Sequence, residues 1–184
     1  MASKTDILNR AFGRIGVDRT TDYSDDNPRA EAARDVYTPV KEETLSAFPW
    51  AFAIKRVTLT AIVDTPDFGW TYYLQRPTDM LYAIDEDNET SFAEEGDKMV
   101  SDSDTLKLRY VSKDVLEARF SPLYVKLLAI NLAIELTYKF ENKLEARTQL
   151  LIEKQDIEDE ARHAISMSGD PENYEVSEFI TVRF

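Results

Sequence analysis

Apolar residues in this chain recur first at helical spacing, then alternate, then return to helical spacing, so the periods themselves divide it into parts. At the start, Ile7, Leu8, Ala11, Phe12 and Ile15 fall on one helical face, with Thr5 placed to cap the helix and Gly16 to stop it. A polar stretch, VDRTTDYSDDN, follows. Asn27-Pro28 then reads as the N-cap and first residue of a second helix, which carries Ala33, Val36, Tyr37, Val40 and Leu45. Pro39 lies inside that helix and cannot donate its backbone hydrogen bond, which predicts a kink or a short break.

The period changes within SAFPWAFAIKRVTL, Ser46 to Leu59. Beyond it, Val57, Leu59, Ala61 and Val63 share one face of an alternating pattern, and Thr58, Thr60 and Ile62 share the other. GWTYYLQ, DMLYAI and TLKLRYV supply further strands, and SFAEEGDKMVS reads as a hairpin about Glu95-Gly96. The expectation is an antiparallel meander of about five strands over residues 53–113. Helical spacing returns at Ser121-Pro122, again a cap and a first residue. The segment from Leu123 to Phe140 is apolar almost all round, as the buried centre of a bundle is. A charged helix over about 142–167 keeps a narrow stripe of Leu150, Ile157, Ala161, Ala164 and Ile165, and Gly169-Asp170-Pro171 ends it.

The predicted fold class is therefore α+β: an antiparallel helical bundle with a small antiparallel β-domain inserted between its second and third main helices. The bundle takes residues 1–52 and 114–169, the insertion 53–113, and an extended tail 170–184. Phe48 and Trp50 fall where the two parts join, placed to pack there and fix the angle between them.

Charge narrows the function. The net charge is −13, from 35 acidic and 22 basic residues, which disfavours sequence-independent binding to DNA phosphates and to anionic membranes. The absence of cysteine excludes disulfides and thiolate-metal sites. With no apolar leader run and no stretch long enough to span a bilayer, the expectation is a soluble protein made in a cytoplasm.

Candidate chemistry is sparse. His163, the one histidine, lies in DIEDEARHAIS, where Asp159 or Glu160 could orient its ring, but no nucleophile accompanies it and a solvated histidine is the simpler reading. Three acidic clusters, DYSDDN, DEDNE and SDSD, could offer oxygens to a hard cation. However, the loop starting at Asp85 carries Thr90 where an EF-hand needs glycine, and acidic turns explain all three clusters. No glycine-rich phosphate loop is present. Arg14, Arg19, Arg29 and Arg34 are interspersed with acids and form no basic stripe, and no carboxylate pair stands out. The expectation is no enzyme, no cofactor and no metal site.

The ordered set of elements resembles the head–tail adaptors of short-tailed bacteriophages, the tail tubular protein A type of connector. The likeness is carried by DILNRAFGRIGVDRTTDY, by ARDVYTPVKEETLSAFPWAFAIKRVTL with its Phe-Pro-Trp exit, and by FGWTYYLQRPTDML with its aromatic run and Pro-Thr-Asp turn. LKLRYV, FSPLYVKLLAINLAIEL and EKQDIEDEARHA complete it. The resemblance implies a structural virion protein that assembles as a ring, usually of twelve copies, beneath the portal protein. Such a ring extends the DNA channel and offers a platform to a downstream tail or nozzle protein. It implies location at the head–tail junction, after assembly in the host cytoplasm. A net-acidic channel would let DNA slide without specific binding. The alternative is a monomeric acidic binding or regulatory protein that docks one protein partner.

The end of the tail, SEFITVRF, has a strand pattern without a neighbour in sequence: Phe179, Thr181 and Arg183 alternate with Ile180, Val182 and Phe184. It could fold back onto the chain's own sheet. It could instead add a strand to the portal or to a neighbouring subunit, and these six residues are the expected protein-binding site.

Overall fold

The computed structural model describes residues 2–86, 91–140 and 144–168. The class is α+β, with helices α1 (Lys4–Arg14), α2 (Pro28–Ser46), α3 (Pro122–Phe140) and α4 (Leu144–Ser168). Six strands lie between α2 and α3: β1 (Ile54–Thr60), β2 (Tyr72–Gln75), β3 (Met80–Glu86), β4 (Phe92–Glu95), β5 (Lys98–Ser101) and β6 (Thr105–Ser112).

Local signals set most helix ends. The Asn27 side chain accepts from the backbone N–H of Arg29 and Ala30, and Pro28 opens α2. At α3, the Ser121 hydroxyl accepts from the Tyr124 N–H at 3.2 Å. Gly16 takes φ 69°, a left-handed conformation that suits a glycine, just beyond α1. One expectation fails. The cap of α1 is Ser3, not Thr5: Ser3 and Asp6 form a reciprocal capping box. The Thr5 hydroxyl instead accepts from the Tyr23 N–H, holding the 17–27 loop against α1. In addition, α2 runs through Pro39 without a break. Pro39 and Asp35 are exposed, so the carbonyl freed by the missing N–H meets water, while Tyr37 and Val40 pack on the buried side.

Helix α3 is the centre of the bundle. Leu127, Leu128, Leu132 and Leu136 are fully buried, in one cluster with Ile7, Leu8 and Phe12 of α1 and with Tyr37, Val40 and Leu45 of α2. The Asn131 amide donates to the Thr44 hydroxyl at 2.9 Å and ties α3 to α2 inside this core. From α4, Leu150, Ile157 and Ala161 are buried and Ile165 is partly buried. Ala164 is exposed, contrary to the stripe expectation. Ile165, one residue further on, still packs against the core, so the stripe continues there and Ala164 falls at its edge, about 100° round the helix from Ile165.

The insertion is not a meander. The strands form two three-stranded antiparallel sheets, ordered β1-β6-β3 and β2-β5-β4. Only β4 and β5 are sequence neighbours that pair, through the predicted hairpin, with Gly96 at φ 63°. β6 is central, pairing along one edge with β1 and along the other with β3. Leu106, Leu108 and Tyr110 face a core shared by the two sheets, whereas Val111 enters the helical core. β1 ends at Thr60, where the chain turns across to pair Ala61 with Leu74 of β2. Val63, expected on the buried face of that strand, is therefore 99% exposed.

The Phe-Pro-Trp segment joins the two parts. Trp50 is buried, donates its indole N–H to the Thr44 carbonyl at 3.0 Å, and meets Phe48, Phe52 and Tyr124 at ring-centroid distances of 5.6, 6.0 and 5.2 Å. Phe120 stacks edge-on against Tyr124 at 4.6 Å. The ends of the insertion meet beside this cluster, since Ile54 pairs with Val111.

Candidate functional site

A groove of about 790 Å³ lies between α1, the loop after it and the start of α3. Its cationic lining is Arg10, Arg14, Arg19 and Lys126, against Asp6 as its one carboxylate. Gly13, Val125 and Ala129 supply apolar floor, and a side chain at Gly13 would meet open space. Arg14 reaches across to Glu153 of α4, and Lys126 lies 3.8 Å from Glu160. The hydrogen bond from Arg14 holds the Glu153 carboxyl below its ordinary range, against a smaller opposing effect of burial. Asp6 is held by its capping box, and its carboxyl is lowered chiefly by the hydrogen bonds from Ser3. Arg10 and Arg19 are exposed and make no salt bridge among the described residues. Asp6 faces Arg10, Glu153 faces Arg14 and Glu160 faces Lys126, so in a chain of net charge −13 the groove is a nearly balanced patch with Arg19 as its surplus cation.

Sequence reading found no basic stripe, and here the fold adds what spacing hid. Of the four arginines considered, Arg14 and Arg19 reach the groove. Arg29 instead pairs with Asp18 at 3.2 Å, and Arg34 donates to the Tyr23 and Asp25 carbonyls. Arg10 was passed over, although Arg10 and Arg14 stand four residues apart on one helical face and could have been paired. Lys126 had no such signal, because only the packing of α3 against α1 brings it to the groove.

Large apolar side chains are exposed at several places among the described residues, Leu116, Tyr138 and Met167 singly and two groups close in sequence. One is the β1–β2 loop, where Val63 and Phe68 are 99% and 88% exposed, with Gly69 at φ 84° turning the chain. The other is the outward side of α4, where Leu151 and Ile152 are 42% and 60% exposed beside the exposed Asp156.

A charged node missed by the sequence reading pins the β insertion. The Asp79 carboxylate, in the Pro-Thr-Asp turn, accepts from Lys55 Nζ at 2.7 Å, Ser112 Oγ at 2.7 Å and the Tyr110 hydroxyl at 3.1 Å. Burial pushes this carboxyl up, but the hydrogen bonds from Lys55, Ser112 and Tyr110 outweigh it and hold it at about 2. Burial and the neighbouring Asp79 push Tyr110 up to about 12. The node joins β1, the turn before β3, and β6, which is a structural role.

His163 is exposed, and neither expected partner orients it: Asp159 accepts from Arg162, and Glu160 faces Lys126. In DYSDDN, Asp22 and Asp25 bind the backbone and hydroxyls of their own loop, and these hydrogen bonds lower both carboxyls. In SDSD, Asp102 accepts from the Thr71 N–H and hydroxyl. Among the described residues, no group of three or more acidic or histidine side chains is arranged to hold a metal ion. Most of DEDNE, and Phe179, Ile180, Thr181, Val182, Arg183 and Phe184, lie outside the described residues. No helix among the described residues is long and apolar enough to cross a membrane. No protein-family model and no curated protein sequence matches this chain.

Proposed function

We propose that this chain is a structural connector subunit: a ring-forming head-to-tail adaptor that docks on a portal protein, extends its DNA channel and presents a platform to the next tail component. The observation that carries this reading is that large apolar side chains stand exposed on different parts of the molecule, among them Val63 and Phe68 on the β insertion and Leu151 and Ile152 on α4. A subunit that touches neighbours through two different patches makes head-to-tail contacts, and such contacts close into rings when the rotation between copies permits. The ordered set of elements that resembles the phage adaptors supports the same reading. The net charge of −13 per copy suits a channel that repels DNA rather than gripping it. The tail segment Phe179–Phe184 adds a strand to the portal or to a neighbour in this scheme.

The experiment is the mass of the protein in solution, alone and mixed with its portal protein, with electron micrographs of the mixture. Closed rings on the portal are the expected outcome. A monomer that stays monomeric and ignores the portal overturns the reading. It would favour the second one, a monomeric acidic protein that docks a single partner, for which the groove beside α1 is the natural seat.

A further inference from the structure

We propose that, in the free protein, the open edge of β1 seats the chain's own segment Phe179–Phe184 as an added strand. The edge is defined by the direction of the backbone groups. The Ala61 N–H donates to the Asp104 carbonyl at 2.7 Å, and this pair continues the register of β1 with β6. Backbone groups alternate in direction along a strand, so Lys55, Val57 and Leu59 bond to β6 while Arg56 and Thr58 point the other way. β2 takes that other side only past the end of β1, where Ala61 pairs with Leu74 and the Ile62 N–H donates to the Tyr73 carbonyl at 2.8 Å. Arg56 and Thr58 are exposed, and among the described residues their outward backbone groups have no partner. β1 has no proline and its pairing with β6 has no bulge, so the edge lacks two of the usual obstacles to a further strand.

Position and reach choose the occupant. α4 ends at the side of the bundle that bears the insertion: Glu160 lies by Lys126 near the start of α3, and the Arg162 guanidinium stands 5.9 Å from the centre of the Phe48 ring. β1 starts shortly after Phe48, with Ile54 opposite Val111, which enters the helical core. Residues 169–176 join α4 to the strand-patterned SEFITVRF and reach about 26 Å when extended. A strand on so short a tether outcompetes one from solution through its effective concentration. Its alternation also suits the edge. Val57 is only partly buried against the sheet core, and Ile180, Val182 and Phe184 would share its face, with Phe179, Thr181 and Arg183 beside Arg56 and Thr58. The other edges fit less well. The β2-β5-β4 sheet contributes nothing to the helical core, and on β3 the Leu81 carbonyl already accepts from Arg76. The inference goes beyond the connector reading and does not depend on it. It gives the segment a seat before assembly, which it must leave in order to pair with a portal or a neighbour.

The test compares amide hydrogen exchange, residue by residue, in the full chain and in the full chain carrying Thr181→Pro with Val182→Pro. Adjacent prolines remove a donor at each parity, so whichever residue faces β1 loses its N–H. The Arg56 and Thr58 amides should exchange at least about tenfold more slowly in the wild type than in the variant. Lys55 and Val57, bonded to β6, should not change, and the wild-type rates should not depend on protein concentration. Equal exchange of Arg56 and Thr58 in the two proteins overturns the inference. So does protection that appears only on concentrating the protein, which would assign the strand to a neighbouring copy. If the prolines loosen Lys55 and Val57 as well, a second measurement decides. The chain contains no cysteine, so Thr58→Cys can be combined in turn with Phe179→Cys, Thr181→Cys and Arg183→Cys. One of the three pairs should oxidise to a closed monomer. No disulfide, or disulfide-linked dimers alone, overturns the inference. Neither measurement involves the portal, so failure here leaves the connector reading standing, and a chain that never forms rings leaves this pairing standing.

Discussion

The helical bundle and the β insertion are held by different physics. The bundle rests on one apolar cluster in which α3 contributes its full circumference; the Asn131–Thr44 bond lies inside that core, and the ion pairs Arg14–Glu153, Lys126–Glu160 and Lys139–Asp35 link the helices at its surface. The insertion has a much smaller core: seven buried residues between its sheets, led by Leu74, Met99, Leu106 and Leu108. It adds an ionised clasp at Asp79 that gathers three strand-borne donors. Apolar burial is indifferent to pH, whereas a clasp of this kind is not. The comparison also shows that the insertion is not a free-standing body. Val111 is fully buried in the helical core, and Leu81, Tyr82 and Ile84 pack against it.

Trp50→Ala should break the comparison most completely. It removes the ring that touches Phe48, Phe52 and Tyr124, and it leaves the Thr44 carbonyl without that donor. A loss of about 3–5 kcal/mol is expected in denaturant unfolding. Signals from helix and from strand should shift together, because both parts share this cluster. Separate transitions would show that they do not.

Leu128→Ala tests the bundle alone. The side chain is fully buried, so truncation should cost about 2–5 kcal/mol. An unchanged melting temperature would mean that α3 is not the centre.

Asp79→Asn tests the clasp. Losing a charged acceptor for three donors should cost about 1.5–3 kcal/mol and fall mainly on strand signals. The sign of the pH effect follows from the lowered carboxyl. Its contribution is fully present above the ordinary aspartate value of 3.8 and is lost as pH falls toward about 2. The wild type should therefore lose stability across that window, and the variant should lack this part of the loss. Parallel acid profiles for the two proteins would remove the clasp from the account.

Ser3→Ala removes one half of the α1 capping box and should cost about 1 kcal/mol, whereas Thr5→Val should act on the Tyr23 contact rather than on the helix cap. Phe68→Ser should change stability least, within about 0.5 kcal/mol, because the ring is 88% exposed. Under the connector proposal its effect falls instead on association, read as the mass in solution of the variant mixed with the portal.

The sequence by itself determined what lies within a turn or two of chain. Asn27-Pro28 and Ser121-Pro122 start helices, Gly96 closes a hairpin, α3 is buried all round, and the change of period after Phe48 marks the insertion. Each of these depends on residues close enough along the backbone to meet whatever the rest of the chain does. Tertiary structure decided everything that depends on distant partners. β6 sits between β1 and β3, where Leu106, Leu108 and Tyr110 close the sheet core and Val111 reaches the helical one, a choice between pairings that alternation alone leaves equal. α2 continues through Pro39 because burial of Tyr37 and Val40 offsets a missing hydrogen bond whose carbonyl remains wet. Arg10, Arg14, Arg19 and Lys126 share a groove although more than a hundred residues separate the first from the last. Arg10 and Arg14 are neighbours on α1 by helical spacing alone, whereas Lys126 joins them only through the apolar packing of α1 on α3.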